Sequence, residues 1–192
     1  MATDAKQLIL DAALQCFDKK GIDASTIADI REISGVSVGS IYHHFGNKEA
    51  IAVALYTEGV SHYARQLEAA LVKGLSAEMA VKTVVYSYID WVTEHRAWAA
   101  YLFQARGFVE ASVSPEAFQS RQKKHFGRLM QWFMPYRQAG ALRELPFETY
   151  HSLLMGPAQD FARQWLGGRT TAALSDYREL YASAAWLALK AA

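Results

Sequence analysis

The 192-residue chain predicts an all-α protein, and three observations carry that prediction. Apolar residues recur every three to four positions along nearly the whole length, the spacing that lines one face of a helix. No alternating run of β-branched residues is sustained, and only four prolines interrupt the pattern. Gly21, Gly35 and the pair Gly167-Gly168 fall between the periodic stretches, where helices would break. A composition that is 52% hydrophobic and 12% aromatic is ample for a packed core and excludes disorder as the main state.

Residues 5–20 predict an amphipathic helix with Ile9, Ala12, Ala13, Cys16 and Phe17 on one side. Lys19 and Lys20 suit its C-terminal end, and Gly21 ends it. Ile27, Ile30 and Ile33 then fall three apart on a second, shorter helix. Gly35 supplies a left-handed turn, and Val36 plugs the angle between helices. Ser37 caps a third helix that turns Ile41 and Phe45 inward and leaves Val38, Gly39, Ser40, Tyr42 and His43 outside. A helix with small and polar residues at its exposed start is one that a DNA major groove can admit. Asn47 caps a long helix from about 48 to 72, with Ile51, Leu55, Tyr63, Leu67 and Leu71 inward.

From Ser76 the stripe widens to Val81, Val84, Val85, Tyr88, Ile89, Trp91 and Val92, as for a helix contacted on several sides. A short helix at about 96–106 carries Trp98, Tyr101, Leu102 and Phe103, and residues 107–114 read as a loop. Ser114-Pro115-Glu116 reads as a cap with proline at the first helical position. The helix it opens bears Phe118, Phe126, Leu129, Met130 and Phe133 and is stopped by Pro135. After a turn-rich segment at 136–146, Pro146 opens a helix with Tyr150, Leu154, Ala158, Phe161 and Trp165, which Gly156-Pro157 is expected to kink or thin. The last helix, about 171–190, presents Leu174, Tyr177, Leu180, Tyr181, Ala184, Ala185, Leu187 and Ala188.

Net charge is +1, but the first fifty residues hold five bases against seven acids, a net of −2 with histidines neutral. A broad basic footprint is missing there, so nonspecific attraction to nucleic acid is expected to be modest. The lone cysteine, Cys16, lies in an apolar stripe and fits a buried thiol in a reducing compartment. No leader pattern opens the chain and no apolar run approaches a membrane span, so a soluble, cytoplasmic protein with no membrane partner is expected.

Roughly the first fifty residues resemble the N-terminal DNA-binding domain of the tetracycline-repressor (TetR) family of bacterial regulators. The resemblance rests on Ala12-Ala13, Phe17, Gly21, Ser25-Thr26, Ile30, Gly35-Val36-Ser37, Gly39-Ser40-Ile41-Tyr42-His43-His44-Phe45 and Asn47-Lys48-Glu49. Arg31, where the family usually carries a small residue, and Ser34 depart from it. The resemblance implies a helix-turn-helix DNA-binding domain over residues 1–46 and an effector-binding and dimerisation domain over 47–192. Thr26, Ser37, Ser40, Tyr42 and Lys48 would then contact phosphates, while Val38, Gly39 and His43 would face bases of a double-stranded DNA operator.

The family likeness further implies a homodimer built from the last two long helices, with Phe161, Trp165, Tyr177, Tyr181, Ala184 and Ala185 as interface candidates. It also implies a small-molecule effector held in the bundle, with Trp91, Trp98, Tyr101, Phe126, Met130, Phe133, Tyr150, Leu154 and Phe161 as candidate walls. Tyr, Trp and Met linings suit an apolar or aromatic effector. Repression is the expected direction of control. No cofactor or metal is expected, because the six histidines are scattered and neither HExxH nor CxxC spacing occurs. Neither GxSxG nor a phosphate loop appears, which argues against an enzyme. A helical adaptor that binds another protein and has lost its effector response is the alternative.

Overall fold

The computed structural model describes residues 4–191, the side chains at 115, 117–126 and 147–148 excepted. Nine α-helices occur among the described residues: α1 (Ala5–Ala24), α2 (Ile27–Ser34), α3 (Val38–Phe45), α4 (Lys48–Ala70), α5 (Ala77–Glu94), α6 (Arg96–Ser112), α7 (Pro115–Gln138), α8 (Phe147–Leu166) and α9 (Arg178–Leu189). No strand forms among these residues; one isolated antiparallel bridge joins Leu142 to Lys190. None of the helices among the described residues is long and apolar enough to cross a membrane.

Several boundaries differ from those expected. Gly21 does break α1, with φ 78° and ψ 167°, but helical geometry resumes through Ala24. The loop expected at 107–114 is mostly helix, because buried Ala105 and Val109 extend the apolar stripe of α6. Pro135 does not stop α7, which runs on to Gln138. A proline inside a helix removes one backbone hydrogen bond; here the turn beyond it is held by the Tyr136 hydroxyl, which donates to the Leu75 carbonyl at 2.8 Å. Gly156-Pro157 lies within a single continuous α8. The last helix starts later than expected, after a 3₁₀ turn at Leu174–Tyr177.

The chain packs as two compact units, one of Met1–Ser61 with Ala97–Pro115, the other of His62–Arg96 with Glu116–Ala192. In the first unit α1 packs against α2 and α3, and Ile9, Ala13, Phe17, Ile30 and Ile41 are almost fully buried. This packing unit extends past residue 46 because Tyr101 of α6 stacks on Phe17 at 5.7 Å and donates to the Ala52 carbonyl at 2.7 Å. Gly59 of α4 is met closely by Trp98: a Cβ added there would lie 3.0 Å from the indole nitrogen.

In the second unit α5, α8 and α9 pack on one another, and Val81, Val84, Val85, Ile89 and Val92 of α5 are fully buried. Polar pairs lock α5 to α9. Arg178 donates twice to Asp90, at 2.7 Å each, and its guanidinium lies 3.8 Å from the Tyr86 ring centre. Lys82 bridges Glu78 and Glu179 at 2.9 Å each, and the Tyr86 hydroxyl donates to Glu179. These donors hold the Glu179 carboxyl at about 2, well below the usual range.

Candidate nucleic-acid interface

The start of α2 is held by a reciprocal cap. Thr26 Oγ1 accepts from the Asp29 amide at 3.1 Å, while the Thr26 amide and hydroxyl both donate to Asp29 Oδ2 at 2.9 Å. Lys20 Nζ closes the cluster with a 2.7 Å bond to Asp29 Oδ1. The Lys20 bond, then the two Thr26 donors, lower the Asp29 carboxyl to about 2. Both donors of Thr26 that the sequence reading offered to a phosphate are therefore engaged with Asp29. Of the first-turn amides, that of Asp29 is taken by Thr26 Oγ1, which leaves those of Ile27 and Ala28 without an acceptor inside the helix. Sequence reasoning missed Asp29, although the Thr-x-x-Asp spacing is the signature of such a cap.

The turn into α3 follows from two side chains and one backbone. Gly35 adopts φ 69°, a left-handed conformation, and its amide donates to the Arg31 carbonyl at 2.9 Å. Ser34 Oγ accepts from the Val36 amide at 3.2 Å, and Ser37 Oγ accepts from the Ser40 amide at 3.3 Å. Ile41 is 1% exposed and anchors the helix. Opposite it, Val38 is 41% and Tyr42 50% exposed, Ser37, Gly39 and His43 are exposed, and Ser40 is half-buried. A Cβ added at Gly39 meets nothing within 4 Å, so the fold itself does not require a bare backbone there.

Ile33, spaced with Ile27 and Ile30 on α2, is 42% exposed. Three residues advance a helix by about 300°, so each step of three falls roughly 60° short of a full turn. Ile30 takes the buried direction, and Ile33 rotates out beside it, adding an apolar side chain to the outer surface of α2. Arg31 is exposed as well. Lys48, offered to a phosphate from the sequence, donates to the carbonyls of Asp23 at 3.0 Å and Ser25 at 2.9 Å. An ammonium has three N–H groups, so one is left to point outward. Asn47 Oδ1 caps α4 by accepting from the Ala50 amide at 2.7 Å.

The effector candidates divide between the two units. Trp98 and Tyr101 belong to the first unit, and the phenol of Tyr101 is bonded to Ala52. Trp91, Met130, Phe133, Tyr150 and Leu154 are buried in the second unit, Phe161 is half-buried there, and the side chain of Phe126 lies outside those described. Tyr150 donates to the Arg143 carbonyl, and the Arg137 guanidinium sits 5.2 Å from its ring centre. Trp91 Nε1 donates to His62 Nδ1 at 3.0 Å. A small recess of about 130 Å³ is found in the first unit, lined by Phe17, Ile22, Asp23, Tyr101, Gln104 and Phe108.

Among the interface candidates, Ala185 needs correcting. It is 3% exposed in a single protomer, because α9 turns Ala182, Ala185 and Leu189 toward its own chain. Ala184 is exposed instead, between Leu180 at 59% and Leu187 at 62%. Phe161 packs on Tyr177 at 5.1 Å and Tyr181 at 5.4 Å, and Trp165 lies under Arg96 at 4.5 Å. All four of these aromatics are half-buried.

Residues 9–55 match the model of the family described as bacterial regulatory proteins, tetR family. The HTH-type transcriptional repressor AcnR of Corynebacterium glutamicum is 28% identical over 184 residues, which is 93% of this chain and 90% of that protein. A TetR family transcription regulator from Marinobacter aquaeolei has the same fold, with a TM-score of 0.82 at 17% identity over 98% of this chain and 96% of that one. The regulator FadR from Bacillus subtilis, solved in complex with stearoyl-CoA, has a TM-score of 0.78 at 18% identity over 93% and 96% of the two chains.

Proposed function

We propose that this chain, which belongs to the TetR family of bacterial regulatory proteins, represses transcription by binding a two-fold operator as a homodimer and releases it when a small apolar or aromatic molecule occupies its C-terminal bundle. The observation that carries the DNA reading is the outer row of α3, Ser37, Val38, Gly39, Tyr42 and His43, displayed on a helix capped at its start and anchored by Ile41. Val38 offers a methyl contact to thymine, Gly39 a close approach, and His43 a donor to a base edge or phosphate. Ser40 and Tyr42 add hydroxyl donors to the backbone. α3 contains neither Lys nor Arg, so apolar contact and DNA shape carry part of the specificity.

One such helix makes few contacts, and two copies reading successive major grooves about 34–36 Å apart supply the rest. The Leu180, Ala184 and Leu187 row supports a second copy as the partner of α9. In this reading residues 1–46 bind DNA and residues 47–192 bind effector and partner. α4, whose residues belong to both packing units, is the element through which one function influences the other. Effector coupling of about 1–3 kcal/mol suffices for regulation.

Selection of genomic fragments on the purified protein tests the reading. A palindromic site bound with a shallow but finite salt dependence is expected, given the acidic balance of the first fifty residues. Recovery of random fragments only would favour the adaptor.

A further inference from the structure

Among the described residues, the buried tyrosines Tyr101 and Tyr150 bond their hydroxyls, and the buried Tyr88 does not. Tyr101 donates to the Ala52 carbonyl, Tyr136 to Leu75, Tyr150 to Arg143, and the less buried Tyr86 to Glu179. Tyr88, in the middle of α5, is 7% exposed, and its hydroxyl has no hydrogen-bond partner among the described residues. A phenol removed from water without a partner is costly. The neighbouring Ser87 hydroxyl is also buried and unbonded, but a helical serine can swing onto the carbonyl one turn back. A tyrosine cannot, since its hydroxyl lies six bonds from its own backbone.

The surroundings of that phenol suit a ligand of definite chemistry. The Tyr63 ring meets Tyr88 edge to face at 5.9 Å and Trp91 at 5.7 Å. Trp91 has already given its N–H to His62, so it offers a ring and no donor. Burial, then the Tyr63 phenol, push Tyr88 upward, with Arg163 of α8 pulling weakly the other way; the group stays protonated and able to donate. The cation that reaches this phenol, Arg163 of α8, already faces the Asp160 carboxylate at 3.8 Å, and its side chain is mostly exposed to water. A carboxylate brought here would lose its water for an arginine that already faces a carboxylate of its own.

We infer that the effector is a neutral molecule that presents a hydrogen-bond acceptor, such as an ester or ketone oxygen, to the Tyr88 hydroxyl and lays an aromatic or apolar body against Tyr63 and Trp91. The inference rests on the effector reading given above and specifies its chemistry.

Two measurements on the full-length Tyr88→Phe variant test it. The first needs no ligand: removing an unbonded buried hydroxyl leaves the thermal midpoint unchanged or raises it. A fall of several degrees would mean that the hydroxyl has a partner in the free protein and would overturn the inference. The second uses matched pairs, ethyl benzoate, ethyl cinnamate and ethyl 2-naphthoate against their parent carboxylates, with operator release followed by fluorescence anisotropy. At least one ester is expected to release operator from the unaltered protein. Its half-effective concentration should rise roughly tenfold in the variant, the effect of one lost buried hydrogen bond. Equal response of both proteins to the ester, or stronger release by the carboxylates, overturns the proposed chemistry while leaving effector control intact. Indifference of the unaltered protein to both series overturns the inference too; if a broad compound library also leaves the operator bound, effector control itself fails.

Discussion

α3 and α9 each bury one face and expose the other, yet what they expose differs in kind. The outer row of α3 mixes hydroxyls, an imidazole, a phenol and a bare glycine with one valine. The outer row of α9 is aliphatic, with Leu180 and Leu187 more exposed than any other large hydrophobic side chain described. A polar row with room for close approach suits a grooved, hydrogen-bonding partner. An aliphatic row suits another helix, because leucine gains most where a second apolar face removes it from water. The difference teaches that one chain can present two outer rows of opposite chemistry, neither built from charged side chains.

Four experiments would break or sharpen this contrast. The largest effect is expected from Leu180→Glu combined with Leu187→Glu. Burying each leucine is worth roughly 1.5–3 kcal/mol, so the pair should convert a dimer to a monomer by light scattering and weaken operator binding by about a hundredfold or more. A dimer that survives both charges would show that α9 is not the contact. Next comes Gly39→Leu, which should weaken operator binding about tenfold or more. Because a side chain at 39 meets open space, thermal stability should rise, by up to about 0.8 kcal/mol from helix propensity. Loss of folding instead would mean that the bare site serves the fold.

Thr26→Ala removes the reciprocal cap and should lower the stability of the DNA-binding unit by about 1 kcal/mol, measurable by urea unfolding. The smallest effect is expected from Asp29→Asn, and it should depend on pH. The Asp29 carboxyl titrates at about 2 in the folded chain, below the ordinary value of roughly 3.9. A depressed carboxyl stabilises the fold above its unfolded value and loses that contribution as pH falls through the folded one. The gap between variant and parent should therefore be full at neutral pH and shrink between about pH 4 and pH 2. A gap that does not change over that range would rule out the ionised carboxylate as its source.

Much of the fold was legible because helical periodicity reports burial directly. Cys16, Phe17, Ile30 and Ile41 are buried as their spacing predicts, and the caps at Ser37 and Asn47 form as their residue types predict. The resemblance to the TetR family was legible for the same reason that the turn is rigid: Gly35, Ser37 and Asn47 each fix one bend. Other features depended on contacts between distant residues. The Asp90–Arg178 pair joins positions 88 apart, and no local pattern announces it. Ala185 is buried against its own chain; the small size of an alanine shows that a helix can be approached closely, but not by which neighbour. Lys48 was read by its charge, whereas its contacts are set by carbonyls 23 and 25 residues earlier.

The missing side chain at Gly59 has a practical consequence. With only a hydrogen there, the Trp98 indole rests almost directly on the α4 backbone. Its emission wavelength will register any slide of α4 along α6 of even an ångström or so, since such a slide changes how much water reaches the ring. A protein keeping Trp98 and carrying phenylalanine at the other four tryptophan positions would thus hold a native optical gauge, needing no attached dye.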